Sequence, residues 1–115
     1  MMIDQVRPAE LAAWIRAHAA GATGAVVLDV REPAELQTAR IKPDGFELVT
    51  IPMNEVPQRL SELDPDRPVA CLCHHGARSQ RVAMFLAANG FGEVANIAGG
   101  IDAWSREVDP RVPSY

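Results

Sequence analysis

Residues 69–79 read VACLCHHGARS, and the change of pattern inside this stretch decides the fold. Its first five residues form a short apolar run, typical of a buried β-strand, and apolar side chains recur at helical spacing after Arg78. Two histidines and a glycine separate the two patterns. We therefore predict a strand over residues 69–73, a tight loop, and a helix over residues 79–89.

Cys73 lies where this strand gives way to the loop, a position that favours a reactive thiol over a small buried hydrophobic side chain. Amide N–H groups of the loop and the positive end of the helix dipole would point at its sulfur. The thiolate is the reactive form of cysteine, and the charge of Arg78 would favour both a thiolate and an anionic substrate, unless Arg78 pairs with an acidic side chain. We therefore predict that Cys73 is the nucleophile of an active-site loop that comprises His74, His75, Gly76, Ala77, Arg78 and Ser79.

The neighbouring side chains allow other interpretations. Cys71 lies inside the strand, so we expect a core residue rather than a resolving thiol. Two cysteines and two histidines within five residues suggest a metal site, but zinc ligands usually come from two separated pairs, and contiguous residues cannot easily surround one ion. We therefore expect no metal. His74 and His75 are expected to line the rim of the pocket rather than to act as bases.

A chain of 115 residues is long enough for one domain and too short for two. We predict a single domain over residues 1–115, with its core over about 3–107 and a tail over 108–115. The net charge of -4 and the pI near 5.3 give no basic surface for nucleic acid or an anionic membrane. No apolar run approaches the ~20 residues that span a bilayer, and no secretory pattern opens the chain, so we expect a cytoplasmic protein.

Short apolar runs alternate with helical patterns along the chain. We predict strands over residues 3–6, 25–28, 48–51, 69–73 and 94–97. We predict a first helix that opens at Arg7 and is ended by Gly21 and Gly24, and further helices over residues 33–38, 56–63, 79–89 and 101–106. Runs that are apolar on both faces suit a parallel sheet covered by helices, so the predicted fold is a three-layer α/β/α domain. Functional loops lie at the carboxyl ends of such strands, where Asp29 and Cys73 both fall.

Three stretches, read in order, resemble a known family. Residues 73–78, CHHGAR, resemble the active-site loop of the rhodanese family of sulfurtransferases, in which a cysteine is followed by four residues and often an arginine. Residues 26–36, VVLDVREPAEL, resemble the family's apolar strand that runs into Asp-x-Arg and a short acidic helix. Residues 96–104, NIAGGIDAW, resemble its Gly-Gly and following helix with a tryptophan. Residues 39–51 match less well.

The resemblance implies a sheet of about five mainly parallel strands and a sulfurtransferase activity. Cys73 would take a sulfane sulfur from a small donor such as thiosulfate, hold it as a persulfide, and pass it to cyanide, a thiol or a protein acceptor, with no metal or organic cofactor. Asp29 would help to hold the active-site loop, and Arg31 would lie nearby as a structural or substrate-facing charge. Gly99 and Gly100 would form a backbone turn close to the pocket.

Two other functions remain open at this point. A cysteine-dependent phosphatase or arsenate reductase would use the same thiolate, but the related phosphatases have a longer loop than the four residues between Cys73 and Arg78. A non-enzymatic sulfur carrier or regulatory interaction module would also keep Cys73. Turnover with small donors, compared with transfer only to a protein partner, would separate an enzyme from such a module.

Overall fold

The computed structural model describes residues 3–19 and 24–115, in which strands and helices alternate. The strands are β1 (Asp4–Val6), β2 (Val26–Asp29), β3 (Glu47–Thr50), β4 (Val69–Leu72) and β5 (Val94–Ile97). The helices are α1 (Leu11–His18), α2 (Pro33–Thr38), α3 (Ala77–Ala88) and α4 (Gly100–Glu107). Short 3-10 turns lie at Pro8–Glu10, Met53–Glu55 and Leu60–Glu62.

The five strands form one sheet in the order β1-β5-β4-β2-β3, and every neighbouring pair is parallel. β4 therefore lies in the middle, between β5 and β2. The register places Leu72 beside Asp29, and Cys71 beside Asn96. The carboxyl ends of these three strands consequently meet at one edge of the sheet, where Cys73 follows β4. The predicted sheet of about five mainly parallel strands is confirmed.

Helices cover both faces of the sheet. Side chains alternate between the faces along a strand, so Cys71 belongs to the same core cluster as Leu86 of α3, and Leu72 belongs to a second cluster with Leu11 of α1 and Trp104 of α4. Full burial of one such apolar side chain stabilises a fold by about 1.5–3 kcal/mol. The strands thus have two apolar faces because each face meets a helix layer, and the predicted three-layer α/β/α architecture is confirmed.

The predicted helix over residues 56–63 is wrong. These residues follow the 3-10 turn at Met53–Glu55 and contain one more such turn, at Leu60–Glu62. Pro57 supplies no backbone N–H, and Pro65 prevents extension of a helix. The segment between the two prolines is therefore too short to recover the cost of helix nucleation. Its apolar side chains still pack on the core, which explains their helix-like spacing.

Helix α3 begins at Ala77 rather than at the predicted Ser79. Gly76 has φ +112°, a backbone conformation that favours glycine, and the chain turns there directly into the helix. Ala77, Arg78 and Ser79 therefore form the first turn of α3 instead of belonging to the loop. The loop itself is reduced to residues 74–76, which holds Cys73 close to the amino terminus of the helix.

The first helix and the tail complete the second face of the core. Helix α1 ends at His18; of the two glycines predicted to end it, Gly21 lies outside the described residues and Gly24 is described. Beyond α4, Val112 is buried among the side chains of α1 and α4, and the Ser105 hydroxyl donates to the Val112 carbonyl at 2.7 Å. The tail is thus packed against the domain, which brings Tyr115 back to the active-site loop.

Candidate active site

Cys73 follows β4 directly and is only 1% exposed. Its sulfur accepts a hydrogen bond from the Gly76 N–H at 3.0 Å and lies 3.2 Å from the hydroxyl oxygen of Ser79. Both groups lie at the amino terminus of α3, whose dipole places partial positive charge there. Hydrogen-bond donors and a helix amino terminus stabilise a thiolate. The structure therefore places the Cys73 sulfur against two hydrogen-bonding groups at a helix amino terminus.

Two buried polar side chains lie next to this sulfur. The Ser79 Oγ is 2.5 Å from Asn96 Oδ1, and Asn96 Nδ2 donates to the Gly76 carbonyl at 3.2 Å. Sequence analysis included Ser79 in the site and missed Asn96. The available signal was a polar residue within the apolar strand β5, because a buried polar side chain needs a hydrogen-bond partner. Asn96 thus connects β5 to the active-site loop.

The amino terminus of α4 holds the backbone of the loop. The Ile101 N–H donates to the Cys73 carbonyl at 2.9 Å, and the Asp102 N–H donates to the His74 carbonyl at 3.1 Å. The first N–H groups of a helix lack partners within the helix, so the loop carbonyls satisfy them. A Cβ on Gly100 would lie 2.4 Å from the His74 oxygen and 2.5 Å from the Cys73 oxygen. The predicted Gly-Gly turn therefore lies against the loop.

Arg78 forms an ion pair with Glu35 of α2, which sequence analysis did not single out. The Arg78 Nη1 and Nη2 donate to the two carboxylate oxygens at 2.6 and 2.9 Å. The hydrogen bonds from Arg78 outweigh the effect of burial and lower the pKa of Glu35 to about 2. The hydrogen bonds that Arg78 donates to Glu35, together with the charge of that carboxylate, raise the pKa of Arg78. Pairing with an acid was the alternative interpretation, and a contact of Arg78 with substrate stays a prediction.

Asp29 and Arg31 form a buried ion pair beside the loop. Arg31 Nη2 donates to Asp29 Oδ2 at 2.8 Å, and Arg31 Nε donates to Oδ1 at 2.9 Å. Burial opposes the charge of Arg31, but hydrogen bonds to Asp29 and Tyr115 outweigh it and raise the Arg31 pKa. Removing one partner of such a pair costs about 3–5 kcal/mol, because a buried charge is left alone. The Asp29 carboxylate bonds to Arg31, which donates to Tyr115, and the role of Asp29 in holding the loop stays a prediction.

Tyr115, to which sequence analysis gave no role, ties the loop to both ion pairs. Its ring stacks on the His74 imidazole, with centroids 3.9 Å apart and planes 5° apart. Its hydroxyl donates to Glu35 Oε2 at 2.6 Å and accepts from Arg31 Nη1 at 3.1 Å. Burial and the Glu35 carboxylate raise the pKa of Tyr115. The His75 ring lies beside the His74 ring, with centroids 3.9 Å apart and planes tilted by 31°, and His75 is exposed.

Neither Cys71 nor a cavity beside the tail adds to this site. Cys71 is fully buried in the core, and burial raises the pKa of its thiol, which supports the interpretation as a core residue. A cavity of about 450 Å³ opens between α1, α4 and the tail, and none of residues 73–79 lines it. Within residues 3–19 and 24–115, no three His, Cys, Asp or Glu side chains lie close enough together to hold a metal ion.

The sequence and the fold of this chain are similar to those of known proteins. The model of the rhodanese-like domain matches residues 8–107. The chain belongs to this family. A sulfurtransferase of Allochromatium vinosum is 41% identical over 87 residues, which cover 76% of this chain and 78% of that protein. The thiosulfate sulfurtransferase GlpE of Pseudomonas syringae pv. syringae is 34% identical over 89 residues, or 77% of this chain and 80% of that protein.

The solved structure of another protein has the same fold as this rhodanese-like domain. The rhodanese-related protein of Thermoplasma volcanium superposes with a TM-score of 0.75 at 31% identity. The alignment covers 97% of this chain and 99% of that one. The family resemblance found in the three sequence stretches is therefore confirmed, together with the fold that it implied.

Proposed function

We propose that this rhodanese-like domain is a sulfurtransferase that carries a sulfane sulfur as a persulfide on Cys73. The observation that carries the proposal is the contact of the Cys73 sulfur with the Gly76 N–H and the Ser79 hydroxyl at the amino terminus of α3. Relatives named as sulfurtransferases, at 41% and 34% identity, support the same activity.

The first half-reaction loads the sulfur. With thiosulfate as donor, the Cys73 thiolate attacks the outer sulfur, and an S–S bond forms between them. The S–S bond within thiosulfate breaks, and sulfite leaves with the electron pair. The Gly76 N–H and the dipole of α3 favour the thiolate that begins this step. Glu35 offsets part of the charge of Arg78, so the Gly76 N–H and the helix terminus contribute to attraction of the anion together with Arg78.

The second half-reaction releases the sulfur. Cyanide, a thiolate or a protein acceptor attacks the outer sulfur of the persulfide, and Cys73 leaves as a thiolate. The groups that stabilise the thiolate as a nucleophile also stabilise it as a leaving group. In each step the attacking group supplies an electron pair and the leaving group takes one away. Neither step therefore needs a metal or an organic cofactor.

The mass of the intact protein after mixing with thiosulfate tests the proposal. We expect a gain of one sulfur atom, removed by cyanide with formation of thiocyanate. Cys71→Ala is the matched control, because it deletes the other thiol of the same strand and should still gain the sulfur. No gain of sulfur from small donors, with loading only from a protein partner, would favour the carrier module instead.

The short loop supports sulfur transfer over phosphate hydrolysis. Residues 74–76 alone separate Cys73 from α3, so few N–H groups surround the sulfur and the space above it is small. A phosphoryl group with its full set of oxygens needs more donors than this loop offers. We expect negligible hydrolysis of an aryl phosphate beside turnover of thiosulfate. Faster turnover of the phosphate would establish the phosphatase alternative.

We further propose that the domain acts in the cytoplasm on small donors and on thiol or protein acceptors. No helix in the described part of the chain is long and apolar enough to cross a bilayer. The net charge of -4 favours neither nucleic acid nor an anionic membrane as a partner. Fractionation of cells, with the protein followed by an antibody, tests the location.

A further inference from the structure

The hydroxyl of the buried Ser79 lies between two possible acceptors, the Cys73 sulfur and the side-chain oxygen of the buried Asn96. The Ser79 Oγ lies 3.2 Å from Cys73 Sγ and 2.5 Å from Asn96 Oδ1. Ser79 is fully buried and Asn96 is 4% exposed, so water has little access to these contacts. A hydroxyl carries one proton and donates it to one of two acceptors at a time. The sulfur and the amide oxygen therefore compete for it.

The surroundings of Asn96 fix the orientation of its amide. Asn96 Nδ2 lies 3.2 Å from the Gly76 carbonyl oxygen and 3.0 Å from Gln5 Oε1. A carbonyl oxygen only accepts hydrogen bonds, so the amide atom that faces Gly76 is the nitrogen. The oxygen of the same amide consequently faces Ser79, and it can only accept. Ser79 is thus the donor in this contact.

We propose that Asn96 is a positioning residue that acts on Cys73 through the Ser79 proton and sets how readily the thiol ionises. With a thiol, the S–H donates to Ser79 and Ser79 donates to Asn96. With a thiolate, Ser79 turns its O–H to the sulfur, and Asn96 Oδ1 loses its donor. The Ser79 proton stays on its own oxygen, and the thiol proton passes to solvent. A buried oxygen that loses its donor makes ionisation less favourable.

The consequence for catalysis rests on the proposed sulfur transfer. A more basic thiolate is a better nucleophile and a worse leaving group. Cys73 acts as a nucleophile when it takes up the sulfur and as a leaving group when it releases it. Asn96 therefore favours uptake and restrains release, and its removal should change the two half-reactions in opposite directions.

Other ionisable groups also face this region. The loop and α3 contribute His74, His75 and Arg78, and β4 contributes Cys71. Helix α2 contributes Glu35, the end of β2 contributes Asp29 and Arg31, α4 contributes Asp102, and the tail contributes Tyr115. All of them are retained when Asn96 alone is changed. When two proteins differ only at Asn96, titration of these other groups is therefore common to both and does not produce the difference between their thiolate midpoints.

The test measures thiolate absorbance in the ultraviolet against pH, in a Cys71→Ala background and with Cys73→Ser as the blank. We expect Asn96→Ala to lower the midpoint of this profile by about 0.5–1 pH unit, the equivalent of one neutral hydrogen bond. Asn89→Ala, the same change at the exposed end of α3, should leave the midpoint unchanged. If Asn96→Ala fails to melt cooperatively, Asn96→Val replaces it, because valine suits a buried strand and has no polar side-chain atom.

A second comparison shows whether Asn96 acts through Ser79. We expect Ser79→Ala to raise the midpoint, because the thiolate loses a donor. In the Ser79→Ala background, Asn96→Ala should have no further effect. The same downward shift in that background would mean that Asn96 acts through the Gly76 backbone, and it would overturn the proposal. An unchanged midpoint for Asn96→Ala alone would overturn it as well.

Single-turnover kinetics test the consequence for sulfur transfer. At a pH where Cys73 is fully ionised, Asn96→Ala should slow release of sulfite and speed discharge of the persulfide to cyanide, each about two- to threefold. A structural defect would slow both steps, and that result would overturn the proposed opposite effects of Asn96 on uptake and release. If no sulfur is taken up at all, the proposed function fails, whereas the absorbance profile still decides the role of Asn96.

Discussion

Gly100→Ala should destabilise the protein and damage the active-site loop together. The new Cβ would lie 2.4 Å from the His74 oxygen and 2.5 Å from the Cys73 oxygen, which are backbone atoms that cannot move aside alone. Gly100 also has φ +59°, a conformation that costs other residues about 1–2 kcal/mol. Separation of α4 from the loop would break the two hydrogen bonds to these oxygens, at about 0.5–1.5 kcal/mol each. The expected loss of unfolding free energy is about 2–5 kcal/mol in total.

Gly90→Ala is the matched control. Gly90 has φ +92°, and nothing lies within 4 Å of the position of its Cβ. This variant should therefore lose only the conformational contribution of about 1–2 kcal/mol. Urea denaturation followed by the fluorescence of the two buried tryptophans, Trp14 and Trp104, measures both free energies. The free energy of unfolding falls by about 1–3 kcal/mol for each molar of urea. The urea midpoint of Gly100→Ala should therefore be lower than that of the wild type by roughly 1 M or more.

Activity gives the second measurement for this pair of variants. Without urea, Gly100→Ala should transfer sulfur more slowly than Gly90→Ala even where both are fully folded, because only the first change moves the carbonyls of Cys73 and His74. Equal loss of stability in the two variants would refute the inferred close contact. Full activity of folded Gly100→Ala would refute the inferred role of α4 in holding the loop.

Other changes at the site have equally definite expected results. Cys73→Ser should abolish persulfide formation measured by intact mass, whereas Cys71→Ala should retain most activity; the opposite outcome would exchange the roles of the two cysteines. Arg78→Ala leaves the Glu35 carboxylate without its cation and should lower kcat/KM for thiosulfate about ten- to hundredfold. Glu35→Gln keeps the Arg78 cation and should not lower it. Equal losses in the two variants would show that activity depends on the ion pair and not on the Arg78 charge itself. A pKa of Glu35 lowered from 4.5 to about 2 corresponds to about 3 kcal/mol, which solvent screening reduces at this partly exposed carboxylate; the stabilisation is present above about pH 4.5 and lost as the pH falls towards 2. The stability difference between wild type and Glu35→Gln should therefore shrink over that range in urea titrations, and a constant difference would count against the ion pair.

The sheet could be predicted from the sequence because each strand is a short apolar run bounded by turn residues. The predicted strand over 94–97 coincides with β5, and the helix predicted over 33–38 coincides with α2. The segment 56–63 could not be predicted, since its apolar spacing fits both a helix and separate 3-10 turns. The choice there depends on prolines at both ends and on packing against the core.

The site could be predicted only where its residues are close together in the sequence. The stretch around Cys73 carries its own pattern of strand, loop and helix. Glu35, Asn96 and Tyr115 reach it through the order of the strands and the path of the tail, and neither can be derived from local periodicity. Glu35 and Tyr115 are ordinary in their own segments, and the polar Asn96 within an apolar strand indicates only that it has some buried partner. The partners themselves are evident only in the tertiary structure.

The parallel sheet also determines when the site can form during synthesis. Parallel neighbours need crossover connections, and β1 pairs with β5, almost the whole chain away. Closing such long loops costs entropy before the contacts stabilise the chain, so folding through this topology is slow. Cys73 precedes Asn96 and Gly100 in the chain, so it leaves the ribosome ahead of them. Until β5 and α4 pack beside it, the new thiol lacks the contacts that shield it in the folded domain, and oxidants can reach it.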